Sequence, residues 1–329
     1  MTRQPRVSVI IPCYNGAKTI ENTIAGVRSQ TYRNYELIVV DDGSSDASPA
    51  ILKTMPDVRL LIQSNQGVSL ARNRGAAAAQ GDLLAFLDAD DRWHPQKLDL
   101  QVKAWDDRPT AGIIGCAHTR DHTDLSQFYP PDQPLPVKEL SWYDLLVFCR
   151  FIPSAVLIPQ AVFRASGGFD PRLRCGEDRD LWLRIAYRHP VFRIEHPLFH
   201  YDQAPSGAAN RLWTTGLITT VLSAERWNPK RQPTLDTAGT VDPRRYRKAF
   251  RFLVIRVAKS LLKNNYHRTV PNLFDAYWER FSDSLGNHAA WIRQALLFRN
   301  AVKYPRRRNS PPPSSEAVAE LIGLIQSRL

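Results

Sequence analysis

The first 120 residues alternate between short apolar runs and longer stretches with helical periodicity. The runs VSVIIP (7–12), ELIVV (36–40), VRLLI (58–62), LLAFLD (83–88) and AGIIGCA (111–117) are rich in branched residues and bounded by turn formers. Such near-continuous runs predict strands buried on both faces. Between them, residues 17–29 set Ile20, Ile24 and Val27 on one face, residues 68–80 are rich in alanine, and Pro95 suits the first turn of a helix reaching about Ala104. Strands joined by helices predict an α/β fold with a mainly parallel sheet covered on both faces. Ligands of such sheets bind beyond the carboxyl ends of the strands.

The next stretch is less regular. FYPPDQPLPVKEL is rich in proline and reads as an extended loop, followed by a short helix around 142–148 and a strand in SAVLIP. Leu181, Trp182, Ile185 and Ala186 recur at helical spacing, and VFRIEH then reads as a strand. From about residue 208 the pattern turns helical. In VDPRRYRKAFRFLVIRVAKSLLKNN, Asp242 suits an N-cap, Pro243 a first turn, and Phe250, Leu253, Val254, Val257 and Leu261 share one face. Further helical stretches are expected near 271–285, 288–303 and 315–328, with YPRRRNSPPPSS as a linker before the last. The expected division is 1–207 as an α/β unit and 208–329 as a helical one.

Charge sharpens that division. The 329 residues carry a net +12, but residues 1–200 hold 23 Lys+Arg against 23 Asp+Glu, whereas 201–329 hold 21 against 9. The whole excess therefore lies in the C-terminal region, which suits a solvated basic face, an anionic membrane surface or an acidic polymer. No zinc-finger or RNP string accompanies it, so nucleic-acid binding is not expected. The four cysteines, Cys13, Cys116, Cys149 and Cys175, form no CxxC pair, which argues against a thiolate zinc site or a disulfide framework. The N-terminal residues lack a signal-like apolar segment, and no run approaches the ~18 apolar residues of a membrane span. A cytoplasmic protein, with peripheral attachment to the inner membrane face as the alternative to a free one, is expected.

The candidate chemistry sits at the strand ends. The first run leads into PCYNG, the second into DDGSSD, the third into QSNQGVSLARNRG and the fourth into DADDRWHP. One aspartate after a strand is usually a helix cap; four polar segments at one edge of one sheet indicate a site. If strand geometry persists, Asp88 and Asp90 point to the same side and can share a divalent cation, a hard ion that prefers oxygen. Asp91 then faces elsewhere and suits the cap of the helix near Pro95.

The strings IPCYNGAKTIENTIAGVRSQTYRNYELIVVDDGSSD, NQGVSLARNRGAAAAQGDLLAFLDADD and GGFDPRLRCGEDRDLWLRIA resemble, in order and spacing over roughly residues 6–200, the inverting glycosyltransferases of family 2 with their GT-A fold. The resemblance implies that Pro12, Tyr14 and Asp41 hold the base and ribose of a nucleotide sugar. It further implies that Asn65 and Arg72 contact the nucleotide, Arg72 through a phosphate. Asp90 would be the main ligand of Mn2+ or Mg2+, with Asp88 on the ribose or the metal. The acidic pair of the family falls on Glu177 and Asp178, with Asp178 as catalytic base and Glu177 toward the acceptor. Acidic residues in a first helical turn also suit the macrodipole on structural grounds alone, and Asp180 reads as structural.

The implied reaction moves a sugar from a nucleotide-sugar donor, UDP-sugar favoured over GDP or dTDP sugars, to a hydroxyl of a saccharide or lipid-linked acceptor. Surface polysaccharide assembly is the setting that the resemblance suggests. Relatives often carry a Tyr-Arg pair where this chain has Tyr201-Asp202, which puts a phosphate contact from that arginine in doubt, and His200 reads as structural. Two rival functions share parts of the pattern. A sugar nucleotidyltransferase would need a Gly-rich, basic loop after the first strand, which PCYNGAKT lacks, and a non-catalytic binding module would have no need of Asp178.

Overall fold

The computed structural model describes residues 7–119, 128–148, 151–173 and 176–201, with residues 227, 241–246, 248, 249 and 253 beyond them. The chain divides into two compact units, 1–207 and 208–329. In the second unit, Asp242 accepts hydrogen bonds from the backbone N–H groups of Arg244 and Arg245 at 2.6 and 2.8 Å, satisfying two donors of a helix start. The helices expected at 271–285, 288–303 and 315–328 lie outside the described residues.

The first unit is built on one sheet. The strands β1 (Val7–Cys13), β2 (Tyr35–Asp41), β3 (Val58–Ile62) and β4 (Leu83–Phe86) run parallel. Each is followed by a helix except β4: α1 (Ile20–Arg28), α2 (Ser48–Lys53) and α3 (Val68–Ala78). Every residue of β1 and β4 is buried, which is why both read as unbroken apolar runs. Gly75 lets α3 lie close on β1, because a Cβ there would come 2.4 Å from Ile10 Cγ2.

Beyond β4 the sheet becomes mixed. The remaining elements are β5 (Arg92–Trp93), α4 (Lys97–Asp106), β6 (Ile113–Thr119), β7 (Val137–Leu140), α5 (Trp142–Val147), a 3-10 turn at Pro153–Ala155, β8 (Leu157–Pro159), α6 (Gln160–Ala165), α7 (Glu177–Ala186) and β9 (Val191–His200). The strand order is β3-β2-β1-β4-β8-β6-β9-β5, with β7 on β9. Because β8 is antiparallel to both β4 and β6, and β6 is parallel to β9, six strands still point the same way. The carboxyl ends of β1, β2, β3, β4, β6 and β9 therefore share one edge.

Three expectations change. Residues 137–140 form strand β7, not loop, because they hydrogen-bond along β9. Helix α4 starts at Lys97, two residues after Pro95, whose carbonyl instead accepts the Thr31 N–H at 2.8 Å. The run SAVLIP splits into the 3-10 turn and the short β8. Among the described residues no helix is long and apolar enough to cross a membrane, and Cys13 and Cys116 are buried free thiols.

Candidate functional site

At the shared edge the register aligns the strand ends. Cys13 pairs with Asp41, and Asp41 with Ile62, so the loops after β1, β2 and β3 emerge side by side. The first two interlock. Asn15, at φ 52°, donates its N–H to Ser44 Oγ at 2.9 Å and accepts the Ser45 N–H at 2.8 Å, while Ala17 N–H reaches Asp46 Oδ2 at 3.0 Å. Three side-chain groups thus fix the rim that carries Tyr14, 53% exposed, beside the buried Pro12.

The two aspartates ending β2 have different environments. Asp42 is satisfied: its carboxylate accepts Gln63 Nε2 and the backbone N–H groups of Gln66 and Gly67, each at 2.8 Å, and so shapes the loop after β3. Asn65 lies exposed in that loop, its backbone against Gly43, where a Cβ would come 2.7 Å from Asn65 N. Asp41 is buried; among the described residues it accepts the Ser44 N–H, at 3.3 Å on Oδ2, and its Oδ1 has no hydrogen-bond partner. An unpaired buried acceptor costs roughly 1–3 kcal/mol, so it is a place where a ligand's N–H or O–H donor would be favoured.

The segment 88–91 is a turn, not a strand. Because β4 ends at Phe86, the two-residue alternation stops before Asp88, and the Asp91 N–H closes on the Asp88 carbonyl at 3.1 Å. Asp90 is exposed and Asp88 half-buried. Asp91 is fully buried and accepts the Ser154 hydroxyl, so it does not cap α4 as expected; the N-cap of that helix is Gln96.

Arg72 joins this turn to the acidic start of α7. It is 4% exposed, and its two terminal nitrogens reach Asp88 Oδ1 at 2.6 Å and Glu177 Oε1 at 2.9 Å. Its guanidinium also lies 5.2 Å from the Phe169 ring centroid. The two carboxylates raise its pKa against the opposing effect of burial. The fork expected to meet a phosphate is thus paired with two carboxylates through its terminal nitrogens, and among the described residues its Nε has no hydrogen-bond partner. Arg74, exposed on the same helix, donates to the Ile62 carbonyl at 2.9 Å.

Glu177 and Asp178 occupy the first turn of α7, after Gly176 at φ 77°. Asp178 keeps part of its surface exposed yet is densely packed. Burial first, and then the negative charge of Glu177, push its carboxyl up to about 7, against the lowering effects of the Arg179 N–H at 2.6 Å and of the Arg179 and Arg72 charges. A carboxylate poised near neutrality is suited to accept a proton from a hydroxyl. Asp180 is buried and paired with Arg184 at 2.8 Å along the helix.

Several contributing residues carry no local signal. Asn73 holds the loop before α7 by a reciprocal pair of hydrogen bonds with the Phe169 backbone, at 2.7 and 2.9 Å. Both lie inside the resembling strings, but their pairing across 96 positions is visible only in the fold. At the far end of the edge, His200 pairs in register with Arg92, and the Tyr201 ring stands edge-on to His118 at 5.9 Å. Asp202 lies outside the described residues.

The acidic turn fits a divalent cation of one kind. Among the described residues no three His, Cys, Asp or Glu side chains cluster as a metal cage. Asp88 and Asp90 offer oxygen donors in one turn, and the carboxylate of Asp88 can accept more than its single bond to Arg72. That donor set suits Mg2+ or Mn2+ arriving with a diphosphate and water, not a permanently caged ion.

Known proteins agree with this architecture. Residues 8–162 match the Glycosyl transferase family 2 model. An uncharacterized glycosyltransferase of Rickettsia typhi is 30% identical over 222 residues, covering 64% of this chain and 69% of that protein. One from Rickettsia conorii is 31% identical over 229 residues, but the chain spans only 38% of its length. The putative teichuronic acid biosynthesis glycosyltransferase TuaG of Bacillus subtilis is 37% identical over 132 residues, 38% of this chain and 52% of that one. S. aureus TarS 1-349 in complex with UDP-GlcNAc superposes with a TM-score of 0.64 at 14% identity, over 98% of this chain and 91% of that one. The mannosyltransferase PcManGT from Pyrobaculum calidifontis, in complex with GDP-Man and Mn2+, gives 0.53 at 20% identity, over 91% and 88%. The structural likeness shows the fold, which is GT-A. With the matched segment, the shared fold and a relative covered over more than two thirds of its length, the chain belongs to glycosyl transferase family 2.

Proposed function

We propose that this protein is a metal-dependent, inverting glycosyltransferase that moves a sugar from a nucleotide-sugar donor, UDP-sugar favoured, to a hydroxyl of a saccharide or lipid-linked acceptor. The observation that carries the reading is the Arg72 bridge between Asp88 and Glu177, which ties a donor-side turn to a base-bearing helix within one edge of one sheet. TarS with UDP-GlcNAc and PcManGT with GDP-Man and Mn2+ support this class of donor and a divalent cation.

In this reading the base lies against Tyr14 and Pro12 and donates its imide N–H to Asp41, whose Oδ1 has no partner among the described residues. Asn65, exposed on the adjoining loop, reaches the nucleotide from the other side. Asp90 and Asp88 hold the cation, which supplies positive charge against the diphosphate as it departs. Arg72 orients Asp88 and Glu177 rather than meeting a phosphate. Asp178 takes the proton of the acceptor hydroxyl as its oxygen attacks the anomeric carbon, and Glu177 beside it contacts the acceptor. Attack from the face opposite the leaving group needs no covalent glycosyl-enzyme.

TuaG supports surface polysaccharide or glycan assembly as the setting. The basic excess of 208–329 would then hold the protein on the anionic inner face of the cell membrane, where a lipid-linked acceptor resides, while 1–207 carries the nucleotide-sugar site and the catalysis. The test is to incubate the protein with Mn2+, nucleotide sugars and acceptor glycans and to read product stereochemistry by NMR. An α-linked UDP-sugar should release UDP and yield a β-linked product. Retained configuration, or no UDP release beyond that of Asp178→Asn, would remove the reading.

A further inference from the structure

Of the three aspartates in the turn after β4, only Asp91 faces inward, and the structure supplies a reason. Its carboxylate accepts the hydroxyl of Ser154, which lies 63 positions away in the 3-10 turn and is itself fully buried. The same Ser154 oxygen accepts the backbone N–H of Asp88 at 3.0 Å. A hydroxyl has one proton to give and two lone pairs to offer, so this one group grips both ends of the four-residue turn. Ser154 is in turn held through its carbonyl, which accepts the Trp93 indole N–H at 3.0 Å, and Thr23 braces the turn from α1 by donating to the Ala89 carbonyl at 2.8 Å.

We propose that Ser154 and Asp91 are positioning residues for the donor site: together they clasp the turn so that Asp88 and Asp90 are presented at the sheet edge. This inference rests on the reading of those two carboxylates as the cation and donor site. In the clasp Asp91 contributes the oxygen that accepts the Ser154 hydroxyl.

The test is calorimetric titration of UDP with Mn2+ into the full chain, its Ser154→Ala, Asp91→Ala and Asp91→Asn variants, each first checked by thermal melting. Removal of an outer partner of a metal ligand costs about 10- to 100-fold in metal affinity, so Ser154→Ala and Asp91→Ala should weaken binding by at least about tenfold. Asp91→Asn keeps an oxygen for the Ser154 hydroxyl and should stay within about threefold of the parent. Binding by Ser154→Ala equal to the parent overturns the clasp, as does an Asp91→Asn loss as large as that of Asp91→Ala, which would make Asp91 act by charge. Asp91→Asn decides alone if Asp91→Ala melts below the titration temperature. If the parent itself fails to bind UDP with Mn2+, the donor reading falls and the clasp with it, an outcome distinct from parent-like variants.

Discussion

Replacing Asp178 with asparagine should make the protein more stable at pH 8 and nearly inactive. The ordinary value of 3.8 for this carboxyl is pushed up to about 7 in the fold. Between those values the folded chain binds a proton that the unfolded chain has lost, so the stability tied to Asp178 is intact below about 3.8 and is lost as pH rises through 7. At ~1.4 kcal/mol per pKa unit, the penalty above pH 7 is on the order of 4 kcal/mol. Asparagine keeps an oxygen for the Arg179 N–H but leaves an amide in the same packed site, so roughly half of that, ~2 kcal/mol, should return. For a unit of this size the gain corresponds to about 4–8 °C in Tm at pH 8; because asparagine does not titrate and its amide cost is the same at every pH, the gain vanishes between about pH 5 and 6 and becomes a loss of about 2 kcal/mol near pH 4. Over the same range, loss of a general base should lower kcat by about 10²–10⁴-fold, measured as nucleoside diphosphate released from a donor selected by thermal shift. A variant that melts lower than the parent at pH 8, or turns over at the parental rate, refutes the reasoning, because the carboxylate would then be neither disfavoured nor needed.

Other perturbations probe the groups around it. In the parent, kcat/KM should rise about tenfold per pH unit up to about 7 and then level, since only the ionised base works; a profile flat from pH 5.5 to 8 contradicts the assignment. Arg72→Met leaves Asp88 and Glu177 without their shared cation, and breaking such a buried pair costs about 3–5 kcal/mol. It should also move the acid limb to higher pH, because the Arg72 charge lowers the Asp178 pKa, while Arg72→Lys recovers only part, one ammonium being unable to span both partners. Asp42→Ala strips the acceptor from Gln63, Gln66 and Gly67, so melting should report a loss of roughly 1–3 kcal/mol and calorimetry a weaker UDP complex.

How far the sequence discloses this molecule depends on the distance over which its signals act. The runs at 7–12, 37–40 and 83–86 are strands because burial on both faces demands uninterrupted apolar residues, whereas in the edge strand β3 no residue is buried and Arg59 breaks the run. The helical phase of Leu181, Trp182 and Ile185 likewise puts Glu177 and Asp178 in a first turn. Strand β7 escapes notice because Val137, Lys138, Glu139 and Leu140 pair with β9 at an edge with one side wet, and follow a proline-rich stretch. The two-residue β5 exists only because β9 lies beside it. In the site, an alternation argument aligns Asp88 with Asp90 for the wrong reason, since β4 has ended by then. What orders the turn is Ser154, and what occupies Arg72 is Glu177, 105 positions away. Hydrogen bonds across such separations follow from the sheet order and not from any local pattern.

In the proposed reaction the Asp88–Asp91 turn holds the donor's cation in the same cleft as Asp41 and Asp178. Anomalous diffraction at the manganese edge, from crystals soaked in Mn2+ and UDP, tests it most directly. A manganese peak bound by Asp90 and Asp88 is expected, with the uracil on Tyr14 and its N–H toward Asp41. UDP lodged elsewhere on the protein, with no manganese at that turn, would contradict it.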